Sequence, residues 1–512
     1  MYRFVLGSLP MSSGTINRRA FCAVAGTASI LSYMPLSNAA ETVALNIQVA
    51  SNPLLASHLL NRIAFGATPG DIERVTAMGA KAYIEEQLEP QLLALPAALA
   101  AALDQISILK RTAPDLINEY ASARQGATPV QETTMNTGSP IEGKPKDDRR
   151  DVARSAFIET TQARWLRVLQ SPRQLEETLV EFWYNHFNVF IGKTFDRVLI
   201  AHYESHAIRP FVLGRFRDML GATAKHPAML HYLDNMQSIA AAPGNRGNRG
   251  LNENYARELM ELHTLGVDGG YSQTDVTELA RILTGWTIDR RAETDPIFTF
   301  ISQRHDWQPK KWLGYDVPAS GQAEGEWALD TLAKHPATAA HLSYKLAQYF
   351  VADEPPKALV QRMAQTFLTT DGNLKATLKV LLTSDEFLSP NAVGKKFKTP
   401  MHFVASAIRA TGAVPQQINV LNQMVAALGM PLYGCQTPDG YKNTQAAWLN
   451  PEALSRRINQ ATTIANIRSA KLDNVRSAMG PALSDKTLQI ALGEAPNLQV
   501  ALVVGSPDFM KR

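Results

Sequence analysis

The sequence predicts an all-α protein, a multi-helix orthogonal bundle with a central helical hairpin and at most a few short strands. Apolar residues recur at spacings of three and four along most of the chain, and Leu, Ala, Arg, Glu and Gln dominate. The best strand signal is short and covers residues 297–301. With 512 residues, 45% of them hydrophobic, the chain can bury a large core, which excludes a collagen, a disordered tail and a disulfide miniprotein.

Residues 1–39 are predicted to be an export signal peptide. The segment contains no acidic residue and three arginines, an apolar run over residues 20–36, and small residues before position 40. The pair Arg18-Arg19, followed by Ala20 and Phe21, resembles a twin-arginine signal, and the alternative is an ordinary secretory signal with a chance arginine pair. We therefore expect a periplasmic or secreted protein.

The remaining chain is expected to be nearly neutral. Without Arg3, Arg18 and Arg19 it has 48 basic and 47 acidic residues, which argues against nucleic acid as a partner. No other apolar stretch is long enough for a transmembrane segment. Of the two cysteines, Cys22 lies in the signal, so Cys435 has no partner for an internal disulfide and stability must come from packing.

The chain is predicted to have four regions after the signal. Residues 40–124 form an N-terminal helical region, and residues 125–150, rich in Thr, Pro, Gly and Lys, form a flexible loop. Residues 151–410 form a helical core with the candidate site, and residues 411–512 form a C-terminal helical region. The clearest helical patterns are Pro53–Phe65, Asp71–Leu88, Leu175–Phe187, Trp327–Ala333 and Ala337–Phe350.

The first helix of the hairpin carries the strongest candidates for chemistry. Glu258 and Glu261 fall on one stripe, and Arg257 is expected to lie beside Glu261 at i+4. Such a carboxylate pair can bind a divalent metal or act as acid and base. The alternative is a solvated face with an ordinary Arg–Glu pair. His263 is expected on the apolar side of this helix.

The second helix of the hairpin is predicted to begin at Ser272 with Asp275 in a capping box and to be closed by Gly285. Glu278 and Arg281 lie together on its polar face, at i and i+3. We expect the polar faces of the two helices to converge.

Three further segments are candidates to join this site. His186 lies in the aromatic run Phe182–Asn188, and His305-Asp306 follows the predicted strand. An adjacent His and Asp can orient each other or a metal, although a solvated loop pair is the alternative. His202 and His206 lie at i and i+4, a spacing that can bind zinc but lacks a third ligand in the sequence.

The segments that carry these candidates resemble the bacterial domain-of-unknown-function 1800 family. The sequence departs from the family pattern at Gln308, where Gly is usual, and in the length of the 125–150 loop. The resemblance implies an exported, mostly helical protein and a second exported protein of the domain-of-unknown-function 1501 family as a partner, but it supplies no reaction. The matching segments are residues 58–66, Phe182–Phe187, Asn252–Gly266, 275–286, 305–314, His335–Thr338 and Ser506–Phe509.

The leading hypothesis is an exported hydrolase-type enzyme with its site between the hairpin and the His186 and His305 segments. Its catalytic candidates are the carboxylates, arginines and imidazoles named above; the cofactor is unknown, and a divalent metal is left open. The alternative is a non-catalytic periplasmic binding or assembly protein that acts with an exported partner. A third reading is a solvated surface without a site. The candidate residues are Arg257, Glu258, Glu261, Glu278, Arg281, His186, His305 and Asp306.

Overall fold

Helices make up nearly all the regular structure of the chain in a computed structural model, which confirms the predicted all-α class. The structure describes residues 52–123, 148–240, 250–413, 415, 417–467 and 470–512. The predicted signal peptide lies outside these ranges, as does most of the predicted 125–150 loop. Its last three residues, 148–150, are already helical.

The first region is a series of short helices. Proline after a capping Asn52 starts α1, and the pattern predicted as one helix over Asp71–Leu88 is broken by Gly79, whose φ of +85° a helix cannot continue. The bounds are α1 Pro53–Arg62, α2 Asp71–Met78, α3 Ala80–Leu88, α4 Ala97–Asp104 and α5 Ala113–Ser122.

The core region begins with a long helix and an aromatic-rich one. The bounds are α6 Asp148–Gln170, α7 Gln174–His186, α8 Asp196–Tyr203, α9 Phe216–Lys225 and α10 Pro227–Tyr232. A π-helical segment over Glu204–Ile208 continues α8 directly. Helix α7 buries Phe182 and Trp183, and it ends at His186 against the hairpin.

The predicted hairpin is confirmed. It consists of α11 Asn254–Glu261 and α12 Gln273–Ile282, and the capping box of Ser272 and Asp275 starts the second helix as predicted. Gly285 follows α12 with a φ of +83°. Two small antiparallel hairpins come next: β1 Trp286–Ile288 pairs with β2 Phe298–Phe300, and β3 Lys310–Trp312 pairs with β4 Tyr315–Val317.

The rest of the chain is helical again and returns to the first region. The side chain of Arg62 donates to the carbonyls of Phe350 and Val351 in the segment after β4, and Arg409 donates to the carbonyl of Gly66. The bounds up to this point are α13 Gln322–Lys334, α14 Pro336–Phe350, α15 Lys357–Thr369, α16 Leu374–Leu382, α17 Asp385–Leu388 and α18 Pro400–Thr411.

The C-terminal helices pack mainly on one another and on α18. Their bounds are α19 Asn419–Ala427, α20 Gln445–Trp448, α21 Pro451–Ala465, α22 Leu472–Met479, α23 Asp485–Leu492, α24 Pro496–Val504 and α25 Pro507–Met510. Residues Val49–Arg512 form one compact unit, and buried side chains from all the predicted helical regions share one apolar core. Among the described helices, none combines the length and the apolar character needed to cross a membrane.

Candidate functional site

The end of α7 is tied to a C-terminal loop by its two amides. Asn185 exchanges two hydrogen bonds with the backbone of Tyr441, at 2.7 and 2.9 Å, and Asn188 donates to the carbonyls of Cys435 and Thr437. Gly440 permits this approach, since a Cβ there would lie 2.2 Å from the Asn185 carbonyl oxygen. The side-chain amides of Asn185 and Asn188 therefore hold the C-terminal loop in place. His186 is the remaining residue of the aromatic run that could take part in chemistry.

His186 is fixed as a neutral imidazole. Its Nε2 lies 3.1 Å from the carbonyl oxygen of His263, and because a carbonyl can only accept, Nε2 carries the proton. The other nitrogen, Nδ1, is buried and has no partner. Burial, with the nearby charge of Lys345, holds the pKa of His186 well below 6.5. His186 thus keeps a free acceptor in the neutral form.

A second imidazole, on α14, repeats this arrangement. His341 Nε2 lies 3.3 Å from the carbonyl oxygen of Leu262, so this nitrogen also donates and Nδ1 remains an acceptor. Burial and the charge of Lys345 lower the pKa of His341 to about 4. The carbonyls of two consecutive residues after α11, Leu262 and His263, therefore hold two imidazoles in the same tautomer, with ring centroids 6.3 Å apart.

Lys345, one turn after His341 on α14, is the cation of this region. Its charge lowers the pKa values of His186, His263 and His341, which places its amine near all three rings. Burial, then the charge of Lys442, lowers the pKa of Lys345 itself to about 8. Within the described ranges no hydrogen bond or ion pair satisfies the amine. A partly buried amine of this kind is a functional candidate.

Helix α11 contributes two carboxylates to this region, Glu258 and Glu261. Glu261 is the last residue of α11, is partly buried and is hydrogen-bonded to Tyr271. Glu258 is also partly buried, and burial together with the charge of Glu261 raises its pKa. The expected proximity of these two carboxylates is thus present, and of the two, Glu261 borders the cleft described next.

These side chains line a cleft of about 220 Å³ between α7, α14, the end of α11 and the C-terminal loop. We call it the histidine cleft. It combines aromatic walls with polar groups, which is typical of small-molecule sites. Its lining residues used below are Phe182, Asn185, His186, Glu261, His341, Lys345, Tyr349, Asp439, Tyr441, Lys442 and Asn443.

Arg257 does not take part in the cleft. The predicted i+4 pair with Glu261 is wrong: Arg257 Nη2 lies 3.4 Å from Glu253 and donates to Gln273 at 2.9 Å. Its side chain is 38% exposed. Gln273 also donates to Glu253, so Arg257 joins the starts of the two hairpin helices at the surface. Arg257 therefore belongs to a solvent-exposed polar contact between the two helices.

Arg281 and its partners form a separate group near the C-terminal end of α12. Arg281 donates from Nε to Asp306 at 2.7 Å and from Nη1 to Glu278 at 2.8 Å. The bond to Asp306 contributes most to raising the pKa of Arg281. Burial alone would raise the pKa of Asp306, but bonds from Arg281 and the Gln308 amide lower it. Each of these three side chains is satisfied.

The same group continues inward to His305. Its Nδ1 lies 2.9 Å from the Thr284 carbonyl and its Nε2 lies 3.1 Å from Glu324, so both ring nitrogens face acceptors. Lys310 lies 2.8 Å from the other oxygen of Glu324. Burial would raise the pKa of Glu324, but hydrogen bonds from His305 and Lys310 lower it to about 2. We call Glu278, Arg281, His305, Asp306, Lys310 and Glu324 the ion-pair network.

Apart from Arg257, the candidate residues fall into two groups. His186 and Glu261 border the histidine cleft, with Glu258 behind Glu261, whereas Glu278, Arg281, His305 and Asp306 belong to the ion-pair network. Across the described residues, no hydrogen bond or ion pair joins the two groups. The polar faces of the hairpin do not converge on a single site.

The His202–His206 pair is occupied by protein partners. His226 Nδ1 accepts from the Ala228 amide, so His226 donates from Nε2 to His202 Nδ1 at 2.9 Å, and His202 donates from Nε2 to Asp295 at 2.9 Å. Both nitrogens of His202 are used, and the ring of His206 stacks on it at 3.9 Å while its Nδ1 donates to the His202 carbonyl oxygen at 3.0 Å. Within the described ranges, no three or more His, Cys, Asp or Glu side chains are arranged to hold a metal ion, at this pair or around Glu258 and Glu261.

The sequence did not identify several residues of the histidine cleft as site residues. His341, Lys345 and Tyr349 recur at every fourth position of α14, a stripe on one helix face. The sequence predicts a helix over Ala337–Phe350, but because its apolar residues follow the same period, the three polar residues do not stand out. A regular polar stripe beside that apolar face was the available signal. Asp439, Tyr441 and Asn443 reach the cleft only through the clamped loop, which local sequence does not predict.

The fold and the cleft define a mainly helical protein whose histidine cleft is bordered on one side by a C-terminal loop. Residues 58–511 match the family described as a protein of unknown function, DUF1800, and the chain belongs to this family. The resemblance drawn from the sequence is thereby confirmed. Comparison with curated proteins and with solved structures found no match.

Proposed function

We propose that this protein is an exported hydrolase-type enzyme and that its reaction takes place in the histidine cleft. The supporting observation is that the Lys345 amine and the Nδ1 atoms of His186 and His341 have no hydrogen-bond partner in the described protein, whereas the groups of the ion-pair network are paired with one another. Unpartnered polar groups in a cleft cost stability, and binding or catalysis is the usual reason that they are kept.

His341 is the proton acceptor of the proposal. Its free Nδ1 takes a proton from the attacking water, and its half-buried position in the cleft gives water access. His186 lines the same cleft with a buried Nδ1 behind its surface, and Glu261 at the border is a further acid–base group. The amine of Lys345 holds a negatively charged part of the substrate. No step uses Arg257, Arg281 or Glu278, which the sequence suggested for this role.

The proposed location is the periplasm or the exterior of the cell. Its support is the basic, acid-free start of the chain and the Arg18-Arg19 pair. Replacing both arginines by lysine and fractionating the cells tests the route: we expect the precursor to remain in the cytoplasm. Unchanged export of the variant would contradict a twin-arginine route while leaving an ordinary secretory signal open.

A panel of nitrophenyl esters, glycosides and phosphates tests the hydrolase proposal. We expect the purified protein to hydrolyse at least one class, with loss of the activity in Lys345→Met and its retention in Lys379→Met. Lys379 lies on α16 outside the lining of the cleft, is 53% exposed and is paired with Glu85 at 2.7 Å, which makes it the lysine control. Absence of hydrolysis across the panel, or equal activity in both variants, would contradict the proposal.

A second candidate is a non-catalytic assembly protein that acts with the exported domain-of-unknown-function 1501 protein. It is favoured by exposed apolar side chains on three C-terminal helices that pack together, namely Ile458, Ile490, Leu492, Leu498 and Leu502. Co-purification of the two proteins, with Leu498→Glu and Leu502→Glu as the disrupting variant, tests it. Failure of the wild-type pair to associate would contradict this candidate.

A further inference from the structure

The protein has a further cavity that the proposed hydrolysis does not use. Its volume of about 430 Å³ lies within the range of about 300–1,000 Å³ that is typical of small-molecule sites, and it shares no lining residue with the histidine cleft. We call it the His206 pocket. Its apolar walls are formed by Ala207, Ala222, Pro227, Pro296, Ile297 and Phe298.

A π-helical segment supplies one side of the His206 pocket. The segment covers Glu204–Ile208 and contributes His206 and Ala207 to the lining. Single π-helical turns are rare and occur frequently at functional sites. Because His206 donates from Nδ1 to the carbonyl oxygen of His202, Nε2 of the neutral ring is an acceptor, and it makes no hydrogen bond to the described protein. The His206 side chain is exposed, so a ligand can reach it.

Asp295 is the second polar group that a ligand can reach in this pocket. Its two oxygens accept from the backbone amide of Ala113 at 3.2 and 3.3 Å, and one of them also accepts from His202 at 2.9 Å. The side chain remains 27% exposed. A carboxylate has acceptor sites for about four hydrogen bonds, so Asp295 can accept another from a ligand. Because the ring of His206 stacks on His202, the imidazole and the carboxylate lie in the same part of the pocket.

The charge of Asp295 is not neutralised by its partners. His202 accepts at Nδ1 from His226 and donates from Nε2 to Asp295, and an imidazole that accepts at one nitrogen and donates at the other is neutral. Burial, and then the neighbouring His206, also lowers the pKa of His202 below 6.5. Among the described residues, no lysine or arginine forms an ion pair with Asp295.

Lys225, the lysine on the described lining, is paired elsewhere. Its amine lies 2.9 Å from Glu326, which also accepts from Arg217. Arg217 pairs in turn with Asp330. Two cations and two carboxylates therefore compensate one another in this group. Asp295 is left as the uncompensated charge of the lining, and a partly buried charge is stabilised by a partner of opposite sign.

We infer that the His206 pocket binds an organic ammonium ion with an apolar body. The ammonium group donates to Asp295 and to Nε2 of His206, and the body packs on the apolar walls, where the ring of Phe298 faces it. This second site goes beyond the proposed hydrolase and does not depend on it.

Titration calorimetry on the full-length purified protein tests this inference, with phenethylammonium chloride as the probe at pH 7 and low salt. Phenethyl alcohol has the same body without the charge, hydrocinnamate has the opposite charge, and phenylalanine adds a carboxylate to the probe. Because a charge-assisted hydrogen bond is about twice as strong as a neutral one, we expect the ammonium ion to bind at least about fivefold more tightly than the alcohol. We expect phenylalanine to bind more weakly than the probe and hydrocinnamate to bind most weakly.

The variants assign the ammonium group and the body to their partners. Asp295→Asn is expected to reduce the affinity for phenethylammonium to within about twofold of that for phenethyl alcohol. Asp289→Asn removes a charge from an exposed residue of the same loop, outside the lining, and should change the affinity by less than about twofold. Ala222→Phe fills the pocket and should abolish binding of both compounds.

The wild-type protein gives a test that remains if Asp295→Asn does not fold. Added salt screens a partly exposed ion pair, so the affinity for phenethylammonium should fall as the salt concentration rises, whereas the affinity for phenethyl alcohol should not.

Four results would overturn the ammonium inference: no saturable binding of phenethylammonium at millimolar concentration, equal binding of the alcohol, unchanged binding in Asp295→Asn, or binding retained in Ala222→Phe. Tighter binding of phenylalanine would also overturn it, in favour of a zwitterion that uses Lys225 as well. Because the two cavities share no lining residue, absence of hydrolysis would leave this inference standing, and failure of this inference would leave the hydrolase proposal standing.

Discussion

The ion-pair network and the histidine cleft contain the same kinds of side chain in opposite states. In the network, Glu324 accepts from His305 and lies 2.8 Å from Lys310, and Arg281 is shared by Asp306 and Glu278. In the cleft, Lys345 and the Nδ1 atoms of two imidazoles lack protein partners. Both groups lie beside the same helical hairpin.

The difference teaches how to separate structural from functional charges. A buried polar group whose hydrogen bonds are all made within the protein adds rigidity and has no capacity left to bind a ligand. An unsatisfied polar group in a cleft still has that capacity. Residue type alone does not distinguish the two cases, since His305 and His186 were equally good candidates in the sequence. The hydrogen-bond and ion-pair partners that the fold supplies distinguish the two cases.

Glu324→Gln should cause the largest change. The substitution leaves Lys310 buried without its counter-charge, so the free energy of unfolding at pH 7 should fall by about 3–5 kcal/mol. The pKa of Glu324 is lowered from 4.5 to about 2, so its contribution is present above pH 4.5 and is lost as the pH falls through 2. Urea unfolding from pH 7 down to pH 2 measures this.

The control for this prediction is Arg456→Ala, which breaks an exposed pair with Glu452 and should change the free energy by less than about 0.5 kcal/mol. Equal losses in the two variants would mean that the network is no more protected from solvent than the surface.

His341→Ala should lower hydrolysis by at least about 10²-fold, because it removes the proton acceptor. The fold should be kept, since His341 is only partly buried and makes one hydrogen bond. Steady-state kinetics with circular dichroism measure both effects. His206→Ala, at an exposed imidazole outside the cleft, is the control and should keep its activity. Full activity in His341→Ala would exclude this residue as the base.

The pH dependence of kcat/KM should be bell-shaped with limbs near 4 and 8. Activity needs His341 neutral, which holds above about 4, and Lys345 protonated, which holds below about 8. Outside these limits the rate should fall about tenfold per pH unit. An alkaline limb that persists unchanged in Lys345→Met would assign it to another group.

Arg257→Ala should have the smallest effect, a loss below about 0.5 kcal/mol, because its pair with Glu253 is exposed. Thermal unfolding with calorimetry measures it. A loss of several kcal/mol would mean that the starts of the hairpin helices enclose Arg257 more tightly than the geometry indicates.

The sequence was sufficient for the helical class and for features that depend on local chemistry. The Ser272–Asp275 capping box, the hairpin and the buried His263 all follow from residues close together in the chain. The break at Gly79 was missed because an apolar period runs through it. Local patterns determine helices, but they do not determine which groups a helix meets.

The site was only partly predictable for the same reason. His186 and Glu261 were identified, but their neighbours His341 and Lys345 come from a helix that the sequence separates from them by about 80 residues or more. The partner of Arg281, Asp306, was expected in the site as a reactive group, whereas the fold satisfies it with a salt bridge. In each case, contacts between residues far apart in the chain determine whether a side chain is free for a ligand or satisfied by the protein.

The stability of Lys345→Met at pH 7 tests the central claim most directly. Because the pKa of Lys345 is lowered from 10.5 to about 8, its charge opposes folding below pH 8, and this penalty disappears as the pH rises toward 10.5. We predict that the variant gains about 1–3 kcal/mol in the free energy of unfolding at pH 7, and that the gain vanishes above pH 10.5. A loss of stability at pH 7 would show that Lys345 has a protein partner and would contradict the account.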